Sequence, residues 1–341
     1  MPTRLAILGL DAIQRDWLTA VRALVDSGEV EVVAVGHRTQ ALARDVADTF
    51  ESPAPPAFDD LRQFMQAAPQ VVLMDRPEHA SIDFLTACFD ANIAIFSLGP
   101  PVRAYHEAHA LADALEPRTH LLYCWPRFAD AFAYKHTAQA DEYVRPIKFA
   151  SLHWAAFNHA LAKANDSAAG NGEIVRSMSV LAWDALATLI DLIGVPLSVY
   201  ASIRGTTATG EAFTDITGAA SLTLLFADEA TASVTLCDRA PSRREVLLMG
   251  QNGSLELREH AYLYRDAGGG LVDCGEVRAL PAAATYAALL RTFIEHYHMP
   301  PSPHRGWPHR LEETASALEA MLVSHRTGQA ESPERFRLLR R

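Results

Sequence analysis

The sequence predicts an α/β protein: an N-terminal Rossmann-like domain with a parallel sheet, followed by an α+β domain with a largely antiparallel open sheet. Up to about residue 120, short apolar runs alternate with segments of helical periodicity, the pattern of repeated β-α units. Beyond about residue 125, strand-like segments follow one another with few helices between them. The 341-residue chain also exceeds the usual size of one domain. We expect domains at 1–122 and 123–341, with C-terminal helices packing back on the body.

The N-terminal elements follow from this alternation. Strands are predicted at 4–8, 31–35, 70–74, 93–96 and 120–124. Apolar residues three or four positions apart predict helices at Arg15–Ser27, Gln40–Phe50, Asp59–Ala67, His79–Ala91 and Tyr105–Leu115. Residues 52–56 contain three prolines and predict a connecting loop, because proline disrupts both a helix and a strand ladder.

The second part begins with a mixture of elements and continues mainly as strands. Helices are predicted at Phe128–Ala140 and Ile174–Ile193, with a strand at Ile147–Trp154 and a loop at 165–172 between them. Further strands are predicted at 197–204, 215–226, 230–237, 244–249, 253–258 and 261–264. Two last helices are predicted at Tyr286–His298 and Arg310–Thr327.

Composition and charge argue against several classes of protein. The net charge of −11 and the isoelectric point near 5.7 disfavour nucleic-acid and anionic-membrane partners. The most apolar stretch, 178–203, is interrupted by aspartates, glycine and proline, which predicts a buried helix and strand rather than a membrane span. The four cysteines include no close pair and no signal peptide is visible, so we expect reduced thiols in a cytoplasmic protein.

The segment from Arg4 to Gln14 has the pattern of the first strand and turn of a dinucleotide-binding domain. The glycines of the G-x-G-x-x-G fingerprint serve a tight turn, close approach to the pyrophosphate and helix packing. Their three places hold Gly9, Asp11 and Gln14. A carboxylate at the second place repels a pyrophosphate and reduces the attraction of the helix N-terminus for anions. We expect NAD or NADP to contact Gly9, Asp11 and Ile13, with binding weakened or lost.

The second predicted strand ends in His37 and Arg38, where an acidic residue usually binds the ribose hydroxyls. His37 and Arg38 are therefore candidate cofactor-binding residues. Arg38 could pair with a 2′-phosphate, which would favour NADP; the alternative is a solvated arginine at a strand end.

Several strings resemble the glucose-fructose oxidoreductase/inositol dehydrogenase (Gfo/Idh/MocA) family over essentially the whole chain. They are Trp125-Pro126-Arg127-Phe128, Tyr134-Lys135, Arg145-Pro146-Ile147-Lys148-Phe149, the hairpin Gly250-Gln251-Asn252-Gly253-Ser254-Leu255-Glu256-Leu257 and the helix ending His325-Arg326-Thr327-Gly328. The resemblance implies a Rossmann domain and an open sheet that carries the substrate. It also implies NAD(P)-dependent redox chemistry on a sugar, polyol or related small molecule, and a homo-oligomer formed through the C-terminal sheet.

The chain departs from that family at the residues that carry its chemistry. In Leu98-Gly99-Pro100, Gly99 stands at the place of the family's catalytic lysine, and a glycine cannot transfer a proton. Gly99 and Pro100 are nevertheless kept as candidate cofactor contacts. Asp184 stands at the place of the family's histidine. Arg76 follows the third strand where the family approaches the nicotinamide; it is a candidate cofactor contact, although a local ion pair with Asp75 is favoured.

Four residues fall where the family lines its substrate pocket: His153, Trp154, Asn158 and His159. An aromatic ring with polar neighbours suits a sugar or polyol, and ordinary packing on a sheet face is the alternative. The resemblance places Trp154 and Asn158 as substrate contacts and the two histidines as candidate catalytic residues.

Asp184, beside Trp183, is a charged residue in a helix otherwise rich in leucine, isoleucine and alanine. Such a carboxylate is seldom buried without a function or a partner. It is a candidate catalytic residue, with Trp183 as a substrate contact, or a structural residue paired with Arg127 or Arg176.

No metal site is predicted. The histidines 296, 298, 304 and 309 are close in sequence, but residues two apart on a helix face different sides and prolines interrupt the rest. Two functions remain open: an oxidoreductase whose usual lysine-based mechanism is absent, with Asp184, His153 or His159 transferring protons, and a non-catalytic relative acting as a small-molecule sensor or partner subunit.

Overall fold

A computed structural model of the chain describes residues 1–11, 14–50, 53–75, 80–115, 118, 121–124, 140–157, 177–205, 216–258, 260–276, 280–298 and 310–338. The chain divides into two compact units. One contains Met1–Trp125 with Leu280–Leu311, and the other contains Pro126–Ala279 with Glu312–Arg341.

The first 125 residues contain a six-stranded parallel sheet in the order β3-β2-β1-β4-β5-β6. Its strands are β1 (Thr3–Leu8), β2 (Val30–Gly36), β3 (Ala57–Phe58), β4 (Val71–Met74), β5 (Ala94–Ser97) and β6 (Leu122–Cys124). The helices between them are α1 (Arg15–Asp26), α2 (Gln40–Ala47), α3 (Leu61–Gln66), α4 (Ile82–Asp90) and α5 (Tyr105–Leu115). The predicted parallel α/β domain is confirmed, with β3 as an additional two-residue edge strand.

The second unit contains an eight-stranded sheet in the order β14-β13-β12-β11-β7-β10-β9-β8. Its elements begin with α6 (Ala140–Tyr143), β7 (Ile147–Phe157) and α7 (Ser177–Leu192). The later strands are β8 (Ser198–Arg204), β9 (Ala219–Leu225), β10 (Thr231–Cys237), β11 (Arg239–Gly250), β12 (Gly253–Arg258), β13 (Ala261–Asp266) and β14 (Leu271–Glu276). The neighbouring strands pair antiparallel except β7 and β10, which are parallel, so the expected largely antiparallel sheet is confirmed.

Three helices follow in the last part of the chain: α8 (Ala282–Tyr297), α9 (Leu311–Thr327) and α10 (Pro333–Leu338). Helix α8 belongs to the first unit, where Tyr286 stacks on Trp17 of α1 with ring centroids 4.4 Å apart. Helix α9 covers the edge strand β8, because Ser324 accepts a hydrogen bond from the backbone N–H of Ala201 at 2.9 Å. An edge strand satisfied in this way cannot pair through that group with another chain.

Burial explains why these segments fold as they do. Strand β1 lies between two other strands of the parallel sheet, and Leu5, Ala6 and Ile7 are fully buried. Because both faces of the strand are buried, its sequence is a continuous apolar run rather than an alternation of apolar and polar residues. Helix α7 packs on β7 and β10 and is buried on nearly every side, which explains its apolar sequence. None of the helices in the described ranges is long and apolar enough to cross a bilayer.

Candidate functional site

The carboxyl ends of the parallel strands form one edge of the first sheet, and Gly9, His37 and the loop containing Gly99 each follow a strand at that edge. Gly9 follows β1 and donates its backbone N–H to the carbonyl of Gly36 at 2.9 Å. His37 follows β2, and its backbone N–H donates to the carbonyl of Phe58 at 3.0 Å. The loop containing Gly99 follows β5. Ligands of open α/β sheets bind outside this edge.

The turn after β1 is held by its own side chains. Gly9 has a φ of +79°, a left-handed conformation that glycine adopts without steric cost. The backbone N–H of Asp11 donates to Oε1 of Gln14 at 2.8 Å, and the N–H of Gln14 donates to the carbonyl of Asp11 at 2.9 Å. The amide at the second fingerprint place therefore already has a hydrogen-bond acceptor within the chain.

Asp11 and His37 meet at the end of β2. Nε2 of His37 lies 3.2 Å from Oδ1 of Asp11, and Nδ1 accepts a hydrogen bond from the backbone N–H of Arg38 at 2.9 Å. In the tautomer that carries its proton on Nε2, the ring donates to Asp11 while Nδ1 accepts from Arg38. The imidazole is fully buried and 12% of the Asp11 side chain is exposed, so the carboxylate lies at the surface of the strand edge. The sequence placed these two residues in separate parts of the cofactor site and did not anticipate their contact.

The remaining predicted cofactor residues are placed as follows. Arg38 is exposed after β2. Gly99 and Pro100 are buried, and the hydroxyl of Ser97 donates to the carbonyl of Gly99 at 2.9 Å. Ile13 and Arg76 lie outside the described residues.

Besides the hydrogen bond from Ser97 to Gly99, a second set of hydrogen bonds anchors the loop after β5 at the start of α5. Glu107, 8% exposed, accepts hydrogen bonds from the backbone N–H of Arg103 at 2.6 Å and from its Nε at 2.9 Å. Hydrogen bonding to Glu107 raises the pKa of the Arg103 guanidinium. The loop is thus anchored at both ends while offering no side chain at Gly99 for proton transfer.

In the second unit, Asp184 in α7 is 1% exposed and lies against Arg244 of β11, with Nη1 3.8 Å from Oδ2. The Arg244 guanidinium also lies 5.5 Å from the centre of the Trp154 ring, within the range of a cation–π contact. Strand pairing sets Arg244 directly opposite Trp154. The expected arginine partners, Arg127 and Arg176, lie outside the described residues, and Arg244 was not predicted.

Trp154 and His153 face opposite sides of the second sheet, because adjacent residues of a strand alternate. Trp154 is 1% exposed on the side covered by α7, whereas His153 is exposed on the open side. There Nε2 of His153 lies 3.0 Å from the hydroxyl oxygen of Ser151. The two residues therefore do not line one pocket on a single face of the sheet. Trp183 is 4% exposed within α7, and Asn158 and His159 lie outside the described residues.

No protein-family model and no curated protein matches the chain. Solved structures match it closely in fold. An oxidoreductase from Thermotoga maritima superposes with a TM-score of 0.75 at 14% identity, covering 98% of this chain and 99% of the other. The chain therefore shares the whole-chain fold of this structure. An oxidoreductase from Agrobacterium radiobacter was solved with NAD+, L-tartaric acid and magnesium. It superposes with a TM-score of 0.74 at 12% identity, covering 98% of this chain and 100% of the other.

A levoglucosan dehydrogenase solved with NADH and levoglucosan gives a TM-score of 0.73 at 14% identity, over 97% of this chain and 99% of the other. These structures share both parts of the architecture, since the matches extend over nearly the whole length of each chain. The two-part fold expected from the Gfo/Idh/MocA resemblance is therefore confirmed at the level of fold.

Proposed function

We propose that the protein is an oxidoreductase of Gfo/Idh/MocA type that binds a nicotinamide dinucleotide at the strand edge of its first unit and acts on a sugar, polyol or related small molecule. The observation that carries the proposal is the turn after β1, where Gly9 takes the left-handed conformation that the first fingerprint position requires. The ligands named for the structures of like fold, NAD+, NADH, L-tartaric acid and levoglucosan, support it.

The residues at this edge fit a dinucleotide in part. The strand ends and Gly9 suit the tight turn, and the helix N-terminus of α1 follows it. Asp11 places a carboxylate, and Gln14 a hydrogen-bonded amide side chain, where a pyrophosphate would approach the backbone. We propose that Gly9, Asp11 and Ile13 hold the dinucleotide weakly, with His37, Arg38, Arg76, Gly99 and Pro100 beside it. When bound, the dinucleotide would accept or supply a hydride.

Proton transfer needs a group other than the usual lysine, since Gly99 has no side chain. We propose Asp184, His153 and His159 as the candidates, with Trp154, Asn158 and Trp183 as substrate contacts. Because His153 and Trp154 lie on opposite faces of the sheet, His153 could act only at a site that Trp154 does not line. Asp184 is the best supported of the three, because a carboxylate 1% exposed among apolar residues is costly to keep without a purpose. The nearby Arg244 also supports a structural role for it, as part of the packing between α7 and β11.

A second candidate function is that of a non-catalytic relative, a small-molecule sensor or a partner subunit. The buried Gly99 loop favours it, because the loop is anchored through Ser97 and Glu107 but supplies no acid or base. In either case we propose a cytoplasmic protein without nucleic-acid or membrane partners that forms a homo-oligomer through the second sheet. On the open side of that sheet, Leu225 and Met249 are each 47% exposed.

A binding titration and a turnover assay together separate these functions. Purified protein is titrated with NADH and with NADPH, and nicotinamide fluorescence is recorded. Turnover of NAD+ and NADP+ is then followed at the nicotinamide absorbance with a panel of polyols and sugars. Binding with turnover supports the oxidoreductase, binding without turnover supports the sensor, and the absence of binding overturns the dinucleotide site.

A further inference from the structure

The two edges of the second sheet end differently. On edge strand β8, the backbone N–H groups of Val199, Ala201 and Ile203 donate to acceptors of the C-terminal segment 324–331, at 2.8, 2.9 and 3.3 Å. At the other edge, β14 pairs only with β13 among the described residues, and its Leu271 and Val272 are 57% and 51% exposed. Strand β14 also contains no proline or lysine, which commonly block such edges. An edge of this kind is a template for another strand.

Strand β14 is held in place on its inner side. The ring of Tyr262 lies against Gly275, its partner in the ladder, and leaves no room for a side chain there. The hydroxyl of Tyr262 donates to Oδ2 of Asp273 at 3.0 Å. In the turn before β14, Oδ1 of Asp266 accepts two backbone N–H groups at 2.8 and 2.9 Å. The outer side of β14 is therefore a preformed edge, which lowers the ordering cost of pairing.

The ladder with β13 determines which backbone groups of β14 point outward. The N–H of Asp266 donates across the hairpin to the carbonyl of Gly270 at 2.9 Å, so the even-numbered residues of β13 direct their backbone groups toward β14. Their partners in β14 are Asp273 and Gly275. Because this direction alternates along a strand, Cys274 directs its N–H and C=O away from the sheet.

We propose that β14 pairs antiparallel with β14 of a second copy of this chain, about a two-fold axis at Cys274. This register sets Val272 opposite Glu276, and Asp273 opposite Gly275. An axis at Asp273 or at Glu276 would set two carboxylates opposite each other, which destabilises a strand pair, and an axis at Gly275 would shorten the pairing. The contact is isologous and closes on itself. It is separate from the open-face oligomer and independent of the dinucleotide site.

Opposite charges approach each other across this pairing. Arg265 of β13 and Glu276 of β14 both lie on the open side of the sheet, in the rows of Met249 and His153. In the paired sheet, Glu276 of one copy is opposite Val272 of the other, and Arg265 of that other copy lies on the next strand. The two backbones are then two strand spacings apart, about 10 Å, which extended glutamate and arginine side chains can span. The two-fold axis repeats this ion pair, so the second copy is itself the complementary partner.

Cys274 reports the pairing. Residues that face each other in a hydrogen-bonded antiparallel pair have Cα atoms about 5.5 Å apart, which is within reach of a disulfide. The full chain is reduced, freed of reductant and oxidised with copper phenanthroline at low micromolar concentration, and the covalent dimer is followed on non-reducing denaturing gels. We expect it to form about tenfold faster or more than in the control Cys274→Ser/Val272→Cys, whose thiols would be four residues out of register, about 13 Å apart.

Charge reversal tests the ion pair. Glu276→Arg and Arg265→Glu should each slow the cross-linking about fivefold or more, because each brings like charges together, and the double variant should restore it. Glu334→Arg is the control for net charge, since Glu334 is exposed in α10 near residue 331, which bridges to the opposite edge strand β8. It should leave the rate unchanged. Thermal unfolding of each variant checks that it is folded.

Three results would overturn the proposal. One is an equal cross-linking rate for Cys274 and for the displaced thiol at position 272. Another is a rate that charge reversal at Glu276 and Arg265 does not change. The third is an oligomer, measured by light scattering, that forms without the Cys274 cross-link, because its interface would then lie elsewhere.

Discussion

Arg291 in α8 donates two hydrogen bonds to the carboxylate of Glu29, the residue before β2: Nε to Oε2 at 2.6 Å and Nη2 to Oε1 at 2.8 Å. This ion pair connects a helix from the last quarter of the chain to the first sheet. The Trp17–Tyr286 stack lies between α1 and the same helix. A segment distant in sequence is thereby part of the N-terminal unit.

The Glu29–Arg291 pair should make the stability of the protein depend on acidity. Hydrogen bonding to Arg291 lowers the pKa of Glu29 from 4.5 to about 2. A lowered pKa in the folded state means that the pair stabilises above about pH 4.5 and that this stabilisation is lost as the pH falls toward 2. Since both side chains are partly exposed, we expect Arg291→Gln to cost only ~0.5–1 kcal/mol at neutral pH.

A double-mutant cycle with Glu29→Gln measures this coupling by urea unfolding at several pH values. The coupling should be present at pH 7 and decline below pH 4.5. A coupling that persists unchanged at pH 3 would show that Glu29 ionisation is not its source.

The charge and bulk at the β1 turn should weaken dinucleotide binding. Replacing Asp11 and Gln14 together with glycine removes the carboxylate. It also removes Oε1 of Gln14, which accepts the hydrogen bond from the backbone N–H of residue 11. We expect NADH to bind about tenfold more tightly to the double variant, as read by fluorescence titration. Submicromolar NAD binding by the unaltered protein would contradict the expectation.

The absence of a lysine at Gly99 should limit catalysis. Loss of one general acid or base typically lowers a rate by about 10²- to 10⁴-fold. If Asp184, His153 and His159 transfer no proton, oxidation of inositol, glucose and galactose should be near background, under conditions where a lysine-bearing enzyme of the same fold turns over. Robust turnover of any of them would mean that another residue has taken the proton-transfer role.

The Asp184–Arg244 pair should stabilise the second unit. Removing one member of a buried ion pair costs about 3–5 kcal/mol, because the remaining charge stays buried. Arg244→Met should therefore be strongly destabilising in urea unfolding, and Arg244→Met with Asp184→Leu should cost less than the sum of the single changes. Additive costs would show that the two residues do not depend on each other.

An oligomer formed through the second sheet should dissociate when its open face is charged. Pairing across β9, β10, β7 and β11 brings Leu225, Phe149 and Met249 into one row on that face. We expect Met249→Glu to lower the mass measured by light scattering after gel filtration. Leu338→Glu is the control, because Leu338 is 56% exposed on α10 rather than on the sheet. Equal masses for the wild type and Met249→Glu would exclude this surface.

Periodicity predicted most of the architecture because burial has a local signature. The apolar run of β1 and the helical spacing of Trp17, Val21 and Leu24 are both visible in sequence, and those side chains are buried as expected. Strand β14 carries no such signature, since nearly all of its residues are exposed, and it was missed.

The contacts of the candidate sites depend on strand pairing, which a single sequence does not reveal. Asp11 and His37 meet because β1 and β2 are neighbours, and Arg244 reaches Asp184 because β11 pairs with β7. Asp11, His37 and Asp184 were candidates from the sequence, whereas Arg244 was not, because these contacts are set by the register of the sheets.

The central position of β7 has a consequence for biosynthesis. This strand is the first of its sheet to be made, yet its two neighbours, β10 and β11, are the fourth and fifth of the eight strands, and β11 ends at Gly250. One edge of β7 therefore lacks its partner β10 until the nascent chain has grown through residue 237, and the other edge lacks β11 until residue 250. Long-range pairing of this kind folds slowly and exposes strand edges to aggregation. Chains that stall between β7 and β11 should be the ones that most need chaperone protection.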